Sequence, residues 1–243
     1  MTDVTDDPGW TSGDATLVSA DGVRFKVASY YLFTASCVFR QAHAVSSGPL
    51  HLEFDDTSIE SASTIRNFLN LIVHLRLHLE PAPTSAASAH SSSPRLSSTL
   101  HQADQLNALF RFLDKYDCPV LRRSAILVLD TLLPSSIDPA AALLAGCAAD
   151  EPDLVSAALR FADRGKSDGH YEAPEAELAL TAAKEDKDTL DPARMPYEFV
   201  RRIPQEYAWA LARAWGGRPY PVRERFGEYI KAVKSASSTR MEV

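Results

Sequence analysis

The stretch "DATLVSADGVRFKVASYYLFTASCVFR" (residues 14–40) changes its hydrophobic period twice. "ATLVSA" is rich in strand-forming residues, Asp21-Gly22 is a typical hairpin-turn dipeptide, and "VRFKVA" alternates apolar with basic side chains. From Tyr30 onward the apolar residues recur at helical spacing. The sequence therefore predicts a β-hairpin that leads directly into a buried helix.

Composition and charge narrow the class of protein. The chain has 243 residues, of which 45% are hydrophobic and 23% charged, so we expect a globular protein of one or two domains. Its net charge of −7 argues against a protein that coats nucleic acid or an anionic membrane. The three cysteines form no Cys-x-x-Cys motif and favour a reducing compartment. The acidic N-terminus is not typical of a signal peptide, and no apolar run of about 18 residues occurs. We expect a soluble intracellular protein, nuclear or cytoplasmic, with no membrane association.

The next elements follow from hydrophobic spacing. "LHLEF" (residues 50–54) alternates strictly and predicts a third strand, and residues 58–75 hold the spacing of an amphipathic helix. Residues 80–99 are rich in serine and proline and predict a flexible insertion. Helical spacing resumes at Leu106 and continues, with a break at Cys118-Pro119, to Leu133.

These patterns divide the chain into four parts. We expect a disordered N-terminus at residues 1–12, which are polar and acidic, and a folded domain at residues 13–133. Residues 134–234 predict a helical extension, and residues 235–243 a disordered tail.

The order strand, strand, helix, strand, helix, helix, helix resembles that of the BTB/POZ domain. That family opens roughly with Asp-φ-x-φ, then Phe-x-φ-His, a Leu, and Ser-x-φ-Phe. The positions that match here are Asp14, Phe25, Val27, Leu32, Ser36 and Phe39, followed by Asp114, Lys115 and Tyr116. The resemblance implies an α+β fold in which a small three-stranded sheet is capped by a helical cluster. It is strongest to divergent fungal members that carry a helical C-terminal extension.

The resemblance also implies a function. BTB/POZ domains are protein–protein interaction modules, so we expect a non-catalytic adaptor or regulatory scaffold with protein partners and no cofactor. The family usually has His and a basic residue after the second strand, where this chain has Ala28 and Ser29, so we expect no corepressor pocket built on Asp14. "RQAHAVSS" after the Ser-x-φ-Phe helix lacks the glutamate of many cullin-binding members. A cullin-type ubiquitin ligase is therefore a possible partner without support from this motif.

Assembly is predicted from the N-terminus and the first helix. The segment before Asp14 is short, acidic and broken by Pro8 and Gly9, which argues against a domain-swapped dimer. Tyr30, Tyr31 and Phe33 exceed what one side of a short helix can bury, so they form a candidate interaction surface. We expect a monomer or a weak homodimer.

Reactive chemistry is not expected. His74 and His78 lie four residues apart, but "HLRLHL" lacks the glutamate of His-Glu-x-x-His and alternates like a strand. Cys118 precedes a predicted helix start, where a thiol pKa is lowered, yet a buried structural cysteine is the favoured interpretation. No phosphate-binding loop or hydrolase motif occurs. We assign no catalytic, cofactor-binding or metal-binding residue and expect no enzyme.

Residues 195–234 combine eight basic and four acidic side chains with many aromatics. One interpretation is a surface for nucleic acid or an acidic partner, and the alternative function is then a nucleic-acid-associated transcriptional regulator. The other interpretation is a helical core with basic side chains outside. The spacing of Tyr207, Leu211 and Trp215 favours the core, so nucleic acid is not the expected partner.

Overall fold

The computed structural model describes residues 4–45, 48–82, 94–133, 135–161, 190–192, 195–216 and 222–241. The chain divides into two compact units, Met1–Leu132 and Leu133–Val243. The first unit combines a small sheet with helices, and the described part of the second is helical. The predicted α+β class is confirmed at this level, and the division falls one residue before the expected boundary.

Within the described residues, the first unit has in chain order three strands, two helices, one strand and three helices. Its strands are β1 (Thr5–Thr11), β2 (Ala15–Val18), β3 (Val23–Val27) and β4 (His51–Glu53). Its helices are α1 (Ser29–Ala35), α2 (Cys37–Val45), α3 (Ala62–His74), α4 (Pro94–Lys115) and α5 (Pro119–Leu132).

The sheet has the strand order β1-β3-β2-β4. The predicted hairpin is present, with β2 antiparallel to β3 and Leu17 opposite Phe25, while β4 pairs with β2 in parallel. Because side chains alternate along a strand, Leu17, Phe25 and Val27 face the core and are buried. Thr16 and Lys26 are opposite each other on the other face and are partly exposed.

A fourth strand corrects the prediction of a three-stranded sheet and a disordered N-terminus through residue 12. Within the described residues, β1 pairs with β3 in parallel. Asp6 pairs with Arg24 at 2.5 Å, and Asp7, only 2% exposed, accepts a 2.8 Å hydrogen bond from Nη2 of Arg66. The acidic residues that predicted disorder instead pair with arginines, which favours order for this segment.

Gly13 allows the chain to pass from β1 to β2. These strands flank β3 on opposite sides, so the intervening residues must cross it. Gly13 has φ +153°, and a Cβ there would lie 2.1–2.5 Å from the backbone atoms of Val27. Only glycine fits this crossing without a backbone shift.

The helix predicted from Tyr30 onward is two helices that meet at Ser36. Ser36 is extended (φ −143°, ψ 132°), and its hydroxyl accepts a 3.3 Å hydrogen bond from the Phe39 N–H. The same hydroxyl donates to the Tyr116 carbonyl at 2.5 Å. The serine of Ser-x-φ-Phe therefore caps the start of α2 and attaches it to the end of α4.

An aromatic cluster forms the centre of the first unit. The buried ring of Phe39 stacks on Tyr116 with centroids 4.8 Å apart and meets Phe68 edge-on at 5.8 Å. Phe112 contacts both Phe68 and Tyr116, at 4.9 and 4.6 Å. Leu32, the buried residue of α1, is fully enclosed. Of the predicted fold-defining residues, Phe25, Leu32, Ser36 and Phe39 are buried, Tyr116 is partly buried, and Asp14 is exposed.

The segment after α3 is only partly the insertion that the sequence predicts. α3 ends at His74, and Leu75 adopts a left-handed conformation at φ 51°, so "HLRLHL" forms no strand. Glu80 is held by Arg66 at 2.7 Å, and its N–H donates to the Gln105 side chain at 2.8 Å. α4 begins at Pro94, and residues 83–93 lie outside the described residues.

The second unit contains α6 (Pro139–Ala148), α7 (Pro152–Leu159), α8 (Tyr197–Val200), α9 (Gln205–Gly216) and α10 (Val222–Met241). Asp150, between α6 and α7, accepts hydrogen bonds from the Tyr207 hydroxyl at 2.9 Å and pairs with Lys234 at 2.6 Å. α10 continues to Met241, so the tail predicted to be disordered from residue 235 is helical up to that residue.

Candidate interaction site

The predicted interaction surface lies on α1, and the structure divides it into two ring pairs. Tyr30 is 68% exposed and meets Tyr31 edge-on with centroids 5.7 Å apart. Phe33 stacks on His43 of α2 at 5.0 Å. We call Tyr30, Tyr31 and Phe33 the α1 aromatic surface. Leu32 is the buried residue of this helix. The ring of Tyr30 is exposed, and those of Tyr31 and Phe33 are partly exposed.

A groove of about 590 Å³ opens between the outer face of the sheet and the chain leading into β4. Asp14, Thr16 and Lys26 line it from the sheet, Ser29 and His43 line it from the helices, and Pro49 and Leu50 form its third side. His43 lines the groove and also stacks on Phe33. The groove and the α1 aromatic surface are therefore continuous through His43.

Asp14 is bound by Ser29 at one end of this groove. Its Oδ1 accepts the Ser29 N–H and its Oδ2 accepts the Ser29 hydroxyl, both at 2.7 Å. These bonds, first the backbone one and then the hydroxyl one, hold the pKa of Asp14 below its ordinary value. Asp14 is thus ionised at neutral pH and caps the first turn of α1. The sequence alone did not reveal Ser29 as the partner of Asp14.

Lys26 supplies a positive charge to the groove. Cross-strand pairing places it opposite Thr16 on the outer face of the sheet. Within the described ranges it makes no hydrogen bond or ion pair, whereas Arg24 on the same strand binds Asp6. The charge of Lys26 still acts on Asp6, whose pKa is lowered first by the Arg24 bond and to a smaller extent by Lys26. The side chain of Lys26 is partly exposed and lines the groove, so its ammonium group is accessible to a ligand.

Glu60 is a buried carboxylate that sequence reasoning missed. It is 1% exposed and accepts hydrogen bonds from Lys115 Nζ at 2.6 Å and the Tyr116 hydroxyl at 2.5 Å. The N–H groups of Asp55 and Asp56 donate to its other oxygen at 2.9 and 2.7 Å. Burial, the largest single effect, acts to raise the pKa of Glu60, but the hydrogen bonds from Lys115, Tyr116, Asp56 and Asp55 together outweigh it and the pKa is lowered. Both oxygens have partners, which is typical of a structural carboxylate.

Cys118, His74 and His78, the other residues considered for reactive chemistry, do not line the groove. Burial raises the pKa of the Cys118 thiol to about 12, which opposes formation of a thiolate. The ring of His74 lies 6.3 Å from that of Trp10, and the backbone N–H of His78 donates to Asn67. Across the described ranges, no three His, Cys, Asp or Glu residues come together as a metal site.

The basic aromatic segment separates into core and surface. Of the residues whose spacing predicts a core, Tyr207 and Leu211 are buried and Trp215 is partly buried. Phe199 and Phe226 are buried as well. Trp209 is 43% exposed, meets Tyr229 edge-on at 5.7 Å and carries the Arg213 guanidinium over its ring at 5.4 Å. The buried rings therefore contribute to the core of the second unit, whereas Trp209, Tyr229 and Arg213 form a small cluster at its surface.

Comparison of the sequence with protein-family models finds no match, and comparison with curated proteins finds none either. In the described part of the chain, no helix is both long enough and apolar enough to cross a membrane.

Proposed function

We propose that the first unit is a BTB/POZ-like protein–protein interaction module and that the protein is a non-catalytic adaptor or regulatory scaffold. The observation that carries this proposal is the continuity of the α1 aromatic surface with the groove. One exposed tyrosine and one partly exposed tyrosine beside a concave, partly charged surface have the composition of binding hot spots.

Tyr30 is the residue best suited to anchor a partner. Its ring is 68% exposed and rests edge-on against Tyr31, which limits the conformations open to it. A tyrosine loses little conformational entropy on binding because it has only two side-chain torsions. It can also bury a large apolar area while its hydroxyl finds a hydrogen-bond partner.

The Ser36–Phe39–Tyr116 arrangement supports the BTB/POZ part of the proposal. These residues match the family motifs, and here they connect α2 to the end of α4 through a hydrogen bond and a stacked ring pair. A motif whose members contact one another in the core is stronger support than the order of elements alone.

The ionisable groups support a non-catalytic role. The Glu60 oxygens have partners, and the pKa of Cys118 is raised, whereas a catalytic base or nucleophile needs an accessible, reactive form. Cys37, Cys118 and Cys147 are free thiols, which fits the reducing nuclear or cytoplasmic compartment that we propose.

Affinity purification with matched variants tests the module. We expect partners captured by the wild-type chain to be lost with Tyr30→Ser and retained with Tyr197→Ser, because Tyr197 is similarly exposed (75%) but lies on α8. Identical partner profiles for all three chains would contradict the proposed role of α1. Light scattering of the same samples reports whether a weak homodimer contributes.

A second candidate function rests on a cluster of the exposed residues Trp209 and Arg213 with the partly exposed Tyr229. Aromatic rings that stack on bases, together with arginines, bind single-stranded nucleic acid. We infer that a nucleic-acid-associated regulator would bind through this cluster, with an affinity that falls steeply with salt. Electrophoretic titration of DNA and RNA at two salt concentrations, with Trp209→Ala as the variant, tests this alternative. Absence of Trp209-dependent binding eliminates it.

A further inference from the structure

The outer face of the sheet carries a row of polar side chains that crosses all four described strands. The register places Thr11 opposite Lys26, Lys26 opposite Thr16, and Thr16 opposite His51. Lys26 therefore lies within a row of hydroxyl and imidazole groups, and it lines the groove. The neighbouring row differs because Arg24 is bound by Asp6.

The charges in the groove are separated. Lys26 contributes a positive charge that makes no ion pair in the described ranges, although it lies close enough to Asp6 to help the Arg24 bond lower the pKa of that carboxyl. Asp14 contributes a negative charge that Ser29 holds in the ionised form. His43 lies close enough to Asp14 to lower its pKa further. A free anion that reached Lys26 would still be repelled by Asp14. An extended peptide can present a carboxylate to Lys26 and an N–H group to Asp14.

We propose that this groove binds an extended acidic segment of a partner protein, with one Asp or Glu side chain of that segment paired with Lys26. The proposal rests on the interaction-module function and names the chemistry of its partner. A volume of about 590 Å³ lies within the range of about 300–1,000 Å³ for ligand pockets. Pro49 is exposed and provides apolar contact for the peptide, whereas Leu50 beside it is buried. A partner carboxylate would supply Lys26 with an ion pair that it does not make within the described ranges.

The probe is a random dodecapeptide phage library selected on the full-length protein, after depletion on Lys26→Glu. Each selected peptide is synthesised in its original form and in variants in which one Glu is replaced by Gln or one Asp by Asn. We expect the acid-to-amide change to weaken binding to the wild-type chain by about fivefold, the order of an accessible ion pair. The same change in the peptide should have little effect on its binding to the Lys26→Gln variant. This double-mutant cycle isolates the pair from other contacts.

Control variants separate the groove from other surfaces. Lys231→Gln changes an exposed lysine of α10 and should bind the peptides like the wild type. Lys26 is partly exposed, so both of its variants should fold, which circular dichroism melting verifies. Sodium phosphate and sodium acetate, compared at constant ionic strength, should not displace the peptides.

Each remaining outcome overturns the proposal. Displacement by phosphate would indicate a simple anion site, and self-association that Lys26→Gln abolishes would indicate a second copy as the occupant. Peptides that depend on Tyr30 but show no coupling to Lys26 would leave the interaction module supported and the acidic-segment proposal refuted. Failure to select any peptide refutes the proposal as well, while affinity purification still tests the module independently.

Discussion

Replacing Phe39 with alanine removes the ring at the centre of the first unit. Phe39 is 1% exposed, stacks on Tyr116 and meets Phe68 edge-on. Truncation of a buried phenylalanine costs about 3–5 kcal/mol through lost burial and the cavity that remains. Because domains are stable by only roughly 5–15 kcal/mol, we expect Phe39→Ala to leave the first unit marginally folded.

The measurement must distinguish the two units. Hydrogen exchange followed by mass spectrometry reports α3 and α4 separately from α9 and α10, so we expect faster exchange in the first pair and little change in the second. Phe33→Ala is the matched control, because Phe33 lies only partly buried on α1 and should lower the free energy of unfolding by about 1 kcal/mol or less. Unchanged protection of α3 in Phe39→Ala would refute the placement of this ring at the core.

Three further changes test other parts of the structure. Gly13→Ala should release β1, because its Cβ would lie 2.1 Å from the Val27 carbonyl carbon, and proteolysis near the N-terminus should accelerate. The lowered pKa of Glu60 stabilises the fold above the ordinary value of 4.5, and that stability is lost as pH falls toward the lowered pKa, so Glu60→Gln should flatten the acid limb of a stability–pH curve. Gly146→Val should lower the melting temperature of the second unit, because even a Cβ there would lie 2.9 Å from a Val155 methyl group.

The local elements of the first unit could be predicted because their signals are local. Asp21-Gly22 and the alternation around it identify the β2–β3 hairpin, and "LHLEF" identifies β4. The periodicity of residues 58–75 identifies α3, although the helix itself spans Ala62–His74.

The elements that sequence reasoning missed depend on distant partners. β1 is ordered through Asp7, whose partner Arg66 lies far along the chain. The break at Ser36 is fixed by a hydrogen bond to the Tyr116 carbonyl, while the apolar spacing continues across it. The sequence of Asp7 or Ser36 and its neighbours does not identify these partners, because the chain contains many other arginines and backbone carbonyls with which they could pair.

The candidate site was predictable only in part for the same reason. An excess of aromatic residues on a short helix identified Tyr30, Tyr31 and Phe33 from the sequence. The groove could not be predicted from the sequence, because it depends on the cross-strand position of Lys26 and on the contact between His43 and Phe33. Both are known only from the tertiary structure.

Site-specific photocrosslinking in the native cell tests the central claim most directly. The photoreactive amino acid p-benzoylphenylalanine replaces Tyr30 in one sample and Tyr197 in the other, two positions of similar exposure (68% and 75%) on different units. If α1 is a partner-binding surface, position 30 should crosslink to a discrete set of proteins that position 197 does not reach. Equal or absent crosslinking at the two positions would contradict that claim.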